Sequence, residues 1–235
     1  MEAKQIRLKS EADFQRLRDR IDEEVSHARH HWSLFKGLQE ASAEYAFEMN
    51  ESNTFWHLTF IAHLDAVVSH LGRLYDKHTG ALSLGRFIET VRANRNLFSD
   101  EAFKERLKDN PHVETLVEGR EISDAILDAE LASVSESEPL VVNLWSIRDS
   151  MIAHIDAEKV RTGAAATQMR WPPLGDIEVL LDRASAITGK YSFYYGASAH
   201  GGIAGGDDYK SLLRWVRKAL IAHRAGIQRI QEAGQ

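Results

Sequence analysis

The sequence predicts an all-α protein, a helical bundle of roughly six to nine helices. Three observations predict it. Apolar residues recur at spacings of three and four along most of the chain, the period of one helix face. No segment shows sustained period-two alternation, and no repeat of fixed period occurs. Only four prolines occur in 235 residues, so little interrupts helices.

Each element follows from local signals. Ser10 can cap a helix, with Glu11 and Asp13 in its first turn, where the helix dipole favours negative charge. Phe14, Leu17, Ile21 and Val25 give its buried face. The pattern shifts near His31 and resumes with Trp32, Phe35, Leu38, Tyr45 and Phe47, which predicts a second helix to about Asn50. Glu51-Ser52-Asn53 supplies a turn and cap. The most apolar segment follows, from Phe55 to about Asp76, and its wide apolar arc predicts a central helix around which the others pack. Ser83 caps a shorter helix with Phe87, Ile88 and Val91, and Ser99-Asp100-Glu101 opens another. Asn110-Pro111 breaks that one, and a charged helix is expected from about His112 to Leu131. Residues 133–138 form a polar linker. Pro139 suits the first turn of a helix running to about Ile155. Residues 162–168 form a small-residue loop, and Pro172-Pro173 opens a helix with Ile177, Leu180, Leu181 and Ile187. A loop from Gly196 to Asp208 precedes a last helix with Leu212, Leu213, Val216, Leu220 and Ile221.

Length and an apolar fraction of 43% fit one domain, residues 1–235, with a sizeable core. There are no cysteines, which excludes disulfide scaffolds, thiolate zinc sites and cysteine nucleophiles. Lys plus Arg number 29 against 35 Asp plus Glu, a net charge of -6. That balance argues against a generic nucleic-acid coat or a polybasic membrane binder. The N-terminus has no signal-peptide pattern and no apolar run approaches a membrane span, so a soluble cytoplasmic protein with no membrane partner is expected.

One helix breaks its own pattern. In VVNLWSIRDSMIAHID (residues 141–156), a wheel at about 100° per residue spreads the apolar side chains over an arc from about -20° to 140°. Arg148 falls at about 80°, in the middle of that arc, and His154 at about -40°, on its border. Asn143, Ser146, Asp149, Ser150 and Ala153 make the opposite face. A guanidinium centred on a buried face needs a carboxylate, a partner surface or a bound anion.

The same segment resembles the signature of the HEPN superfamily, an Arg, a polar residue, a few others and then a His: here Arg148-Asp149-Ser150-Met151-Ile152-Ala153-His154. Ile before the Arg, Asp after it, Ala before the His and Ile-Asp after it resemble the abortive-infection-associated branch of that superfamily. So does LTFIAHLDAVVSHLGRLYDKHTGALSLGRFI, a long apolar helix ending in Arg-Leu-Tyr-Asp. The resemblance covers about residues 20–160, with the helices of 172–231 expected to pack on that core. It implies a helical, dimeric, metal-independent endoribonuclease of phage-defence or toxin–antitoxin type, with Arg148 and His154 as the catalytic pair and Asp149 in support. No metal and no cofactor are implied. RNA is the implied substrate, a second copy of the chain the implied partner, and a cognate antitoxin protein a further one.

The chemistry agrees. RNA cleavage by the 2′-hydroxyl needs a base for that hydroxyl and an acid for the leaving 5′-oxygen, and His can do either. An Arg fork stabilises the charge gained by the phosphate. On one straight helix Arg148 and His154 are about 120° and roughly 9 Å apart. An isologous dimer resolves this by bringing two copies of the helix together. The alternative function is a non-catalytic HEPN-like module binding RNA, a nucleotide or a protein, with Arg148 and His154 structural.

Arg73 and Asp76 are three apart and either pair with each other or support the Arg148 site. Asp149 either orients Arg148 or His154, or is solvated. Glu24-Val25-Ser26-His27 matches Glu-x-x-His, but the second motif of a di-iron bundle is missing, so a solvated helix face is expected. His63 and His70 read as core or interface histidines. The loop GASAHGGIAGGDD lacks the Lys-Ser/Thr of a phosphate loop. Tyr191, Phe193, Tyr194 and Tyr195 read as bundle packing. Lys210, Arg214, Arg217, Lys218, Arg224 and Arg229 make the last helix basic, either an RNA-approach surface or a solvated face.

Overall fold

The computed structural model describes residues 4–149, 161, 171–198 and 207–233. They contain ten α-helices, one 3-10 helix and no strand: α1 (Glu11–Glu44), α2 (Ala46–Asn50), α3 (Asn53–Leu74), α4 (Leu84–Ala93), the 3-10 turn Arg95–Phe98, α5 (Asp100–Arg106), α6 (Val113–Val117), α7 (Asp124–Ser133), α8 (Pro139–Arg148), α9 (Leu174–Gly196) and α10 (Asp208–Ala233). The all-α class is as the sequence predicts. Among the described residues no helix is long and apolar enough to cross a membrane.

The caps behave as their residue types dictate. Ser10 Oγ accepts from Asp13 N at 3.3 Å while the Asp13 carboxylate accepts from Ser10 N at 3.0 Å, a reciprocal cap at the start of α1. Ser99 and Ser123 accept from the backbone N–H three residues on. Pro139 stands at the first position of α8, and the Glu138 side chain caps it.

Two boundaries and one buried face differ from expectation. The pattern shift at His31 does not end α1, which continues to Glu44; only the five-residue α2 follows. The expected helix from His112 to Leu131 is two helices, α6 and α7. Between them Gly119 adopts a φ of 75°, which glycine tolerates. The next residue, Arg120, is drawn inward: its Nη2 donates to Phe98 O at 2.7 Å and Tyr194 O at 2.8 Å. Finally, the apolar arc of α3 is not buried throughout, since Phe55 and Leu58 are each 58% exposed.

The chain clusters into two compact units, residues 1–28 with 68–201 and residues 29–67 with 202–235. The first is built on aromatic packing. Phe14 meets Phe98 edge-on at 5.3 Å and Tyr195 at 5.1 Å, and Phe87 meets Tyr191 edge-on at 6.0 Å. Leu84, Ile88, Leu127, Val141, Leu144, Ile177, Leu180 and Leu181 are buried around them. Tyr191 and Tyr195 thus pack the core, as expected. The second unit buries Leu38, Tyr45, Met49, Trp56 and Leu213. Gly37 lets Tyr209 approach, since a Cβ would stand 2.6 Å from Tyr209 Oη and the ring would have to shift. Arg217 pairs with buried Glu48 and lies over the Tyr45 ring at 4.2 Å, and Arg224 lies over Phe47 at 3.8 Å. Two of the basic side chains of α10 are therefore spent on packing within this unit.

Candidate active site

Within the first unit, α8 docks on the C-terminal end of α3. A helix leaves its last four carbonyls without intrahelical partners and carries partial negative charge there. Two α8 side chains one turn apart meet that end. Trp145 Nε1 donates to Tyr75 O at 2.7 Å, and Arg148 Nη1 donates to Gly72 O at 3.2 Å. Gly72 makes this possible: a Cβ would lie 2.6 Å from Arg148 Cδ. The aliphatic part of Arg148 thus lies across α3 where only a hydrogen stands.

The carboxylate partners of Arg148 are Asp149 and Asp76. Nε and Nη2 of Arg148 both donate to Asp149 Oδ1, at 2.9 and 2.8 Å, and Nη1 is 3.6 Å from Asp76 Oδ2. Asp149 thus holds Arg148 through two hydrogen bonds, while any relation to His154 lies outside the described residues. Neither carboxylate is buried: their side chains are 50% and 24% exposed, and that of Arg148 22%. A guanidinium has five N–H groups. Three are used in hydrogen bonds among the described residues, and of the remaining two, one on each Nη, that on Nη1 lies near Asp76. His154 lies outside the described residues.

Arg73 and Asp76 do not pair with each other. Asp76 turns to Arg148 and accepts from His78 N at 2.9 Å. Arg73 Nε donates to Glu24, and its Nη2 is 2.8 Å from His70 Nδ1. Glu24 is the residue that sequence reasoning missed. It is not on a solvated face: it is 6% exposed and also accepts from Arg20 Nη2 at 3.1 Å, with His70 Nδ1 at 3.0 Å. Burial works to raise its pKa, but the Arg73 hydrogen bond and charge, aided by His70, hold its carboxyl below the ordinary range. A buried acid needs such partners. The cation at Arg73, in the last turn of an apolar helix, was the available signal that an acid must face it.

In the second unit His31 and His63 face each other with Nδ1 atoms 2.9 Å apart. Burial first, and the neighbouring His31 second, push the His63 pKa below its usual value. Glu24 and His27 join no cluster able to hold a metal among the described residues.

The family model described as AbiU2 (HEPN_AbiU2) matches residues 11–214. The chain belongs to this abortive-infection-associated HEPN family. The AbiU2 match begins earlier and ends later than the stretch of about 20–160 that carries the resemblance in sequence, and it takes in all of α9. Comparison with the curated proteins and with the solved structures gives no match. The Arg148–Asp149 pair lies inside the AbiU2 match, at the docked end of α8.

Proposed function

We propose that this AbiU2-family chain is a metal-independent endoribonuclease of a phage-defence or toxin–antitoxin system, acting as a homodimer. The observation that carries the reading is Arg148: anchored on α3 and on Asp149, yet with two N–H groups unspent in hydrogen bonds among the described residues. That is a preorganised phosphate fork, and preorganised donors stabilise charge that develops at a phosphate.

In the proposed reaction a His154 imidazole takes the proton of the RNA 2′-hydroxyl. The 2′-oxygen attacks the adjacent phosphorus, and the bond to the 5′-oxygen breaks. A second imidazole, His154 of the other copy, gives that oxygen a proton. The products are a 2′,3′-cyclic phosphate and a free 5′-hydroxyl. Arg148 holds the phosphate oxygens as their charge grows, and Asp149 and Asp76 keep the guanidinium in place. A two-fold interface brings two Arg148 and two His154 to one cleft, which overcomes their separation on a single helix.

Purified chain incubated with RNA in EDTA tests this. Fragments ending in 2′,3′-cyclic phosphate support it; RNA left intact contradicts it. One observation favours the second reading, a non-catalytic module that binds RNA or a protein: Arg148 already satisfies three of its N–H groups on its own chain. Binding without cleavage in the same experiment is its signature.

A further inference from the structure

The first unit contains a cavity of about 640 Å³ whose wall includes Asp76 and Trp145. Small-ligand sites span about 300–1,000 Å³ and combine apolar faces with a few placed polar groups. This one has both. Tyr75 and Trp145 are its aromatic wall, and each has its polar atom tied back, Tyr75 Oη to Leu180 O and Trp145 Nε1 to Tyr75 O. Tyr75 is 2% exposed and Trp145 8%, so what the wall offers a ligand is the Trp145 ring face beneath Lys77.

Four cations (Lys4, Lys77, Arg86 and Arg92) and four acids (Asp76, Glu89, Asp128 and Glu136) line the cavity, equal in number but unequally paired. Arg92 is closed between Glu89, at 3.4 Å, and Asp128, at 2.5 Å. Asp76 faces Arg148, and Glu136 has a partner of its own. That accounts for the acids. Arg86 differs from Arg92: its Nε and Nη1 donate to two neutral carbonyls, Lys4 O and Ala81 O, each at 2.9 Å. Among the described residues it has no carboxylate partner, and its Nη2 makes no hydrogen bond. Lys77 is exposed, forms no salt bridge among the described residues although its charge reaches Glu136, and stands over the Trp145 ring with Nζ 4.8 Å from the centroid. A cation held on a ring face by its quadrupole marks the place where another flat or cationic group can bind.

The cavity also adjoins the proposed cleavage site. Asp76 lines it and lies 3.6 Å from Arg148 Nη1. Trp145 is one helical turn before Arg148 on α8, about 5.4 Å along the axis. We infer that this cavity receives the nucleotide of the RNA strand next to the phosphate held by Arg148. Its base takes the Trp145 face that Lys77 now covers, and its phosphate is met by Arg86 Nη2 and the displaced Lys77 ammonium. Aromatic stacking accepts any base, while the shape of the cavity ranks them. The inference rests on the ribonuclease reading and makes Trp145, Lys77 and Arg86 positioning residues for substrate choice.

Wild type, Arg86→Gln and Lys77→Glu are compared on a defined oligoribonucleotide, reading KM, kcat and the positions cut. Lys77 is exposed, so its variant folds even if loss of the Arg86 carbonyl bonds disturbs α4. The expected result for both is a KM raised on the order of tenfold, kcat less affected, and a redistribution of cut positions. Unchanged KM and an unchanged pattern in both variants overturn the inference while leaving the ribonuclease reading intact. Should wild type cut no RNA, the ribonuclease reading fails, and thermal stabilisation by adenosine 5′-monophosphate judges the cavity alone. Stabilisation lost in both variants supports a nucleotide site; no stabilisation of wild type overturns it.

Discussion

Gly72 of α3 and Arg148 of α8 are in a contact that a larger residue forbids, since a Cβ at position 72 would stand 2.6 Å from Arg148 Cδ. The Gly72 carbonyl receives Arg148 Nη1 at the same point. Glycine inside a helix costs about 1 kcal/mol relative to alanine, so its place here is explained by this approach.

Gly72→Ala is accordingly expected to separate stability from activity. The gain in helix propensity offsets the lost carbonyl bond, and the melting temperature changes by only a few degrees. Arg148 is pushed off α3, and RNA cleavage falls by at least about tenfold. Thermal melting and a cleavage time course on the same sample check both halves. Wild-type cleavage with the alanine in place contradicts the placement of Arg148.

Among the described residues, Asp149 supplies the two charge-assisted hydrogen bonds that Arg148 makes to a carboxylate. Bonds of that class are worth about 1.5–3 kcal/mol. Asp149→Asn keeps the shape and removes the charge, and is expected to lower kcat by about 10- to 100-fold at unchanged secondary structure. Steady-state kinetics with circular dichroism decides it.

Arg73 has a structural task. Its removal leaves Glu24, 8% exposed at the side chain, without its strongest partner. Arg73→Ala is expected to destabilise by about 1–3 kcal/mol in urea unfolding. Arg20→Ala, which removes a longer bond of 3.1 Å to the same acid from a cation shared with Glu23, costs less, about 0–1 kcal/mol. Equal effects, or a negligible effect of Arg73→Ala, refute this division of roles.

The His31–His63 pair gives a pH dependence with a definite sign. Burial and the His31 charge lower the pKa of folded His63. As pH falls below about 6.5, the ordinary histidine value, the unfolded chain takes up a proton that the folded one refuses. The pair's contribution is therefore intact above that pH and declines as the pH drops towards the folded value. His63→Gln is expected to flatten stability as the pH falls below about 6.5. Urea midpoints at several pH values test it.

The sequence made the all-α class legible because apolar periodicity survives in every long helix. It made Arg148 legible as well, because a cation within an apolar arc contradicts its surroundings. Glu24 was not legible: an acid on α1 and a cation on α3 reveal their pairing only when the chain brings them together. Gly72 left a signal, a costly glycine within an apolar helix, but not the identity of what it admits. Arg73 and Asp76 stand three apart, a spacing that suits a local pair, yet each finds a better partner in Glu24 and Arg148. The break at Gly119 was hidden in a charged stretch without strong periodicity. α2 and α6, at five residues each, are too short for a period to register.

The central claim is that Arg148 and His154 cut RNA together across a dimer. The most direct measurement is RNA cleavage in EDTA by His154→Ala, with solution mass determined on the same preparation. The expected result is a dimer of unchanged mass that no longer cuts. Cleavage at the wild-type rate by His154→Ala, or a monomeric wild type that cuts, would contradict it.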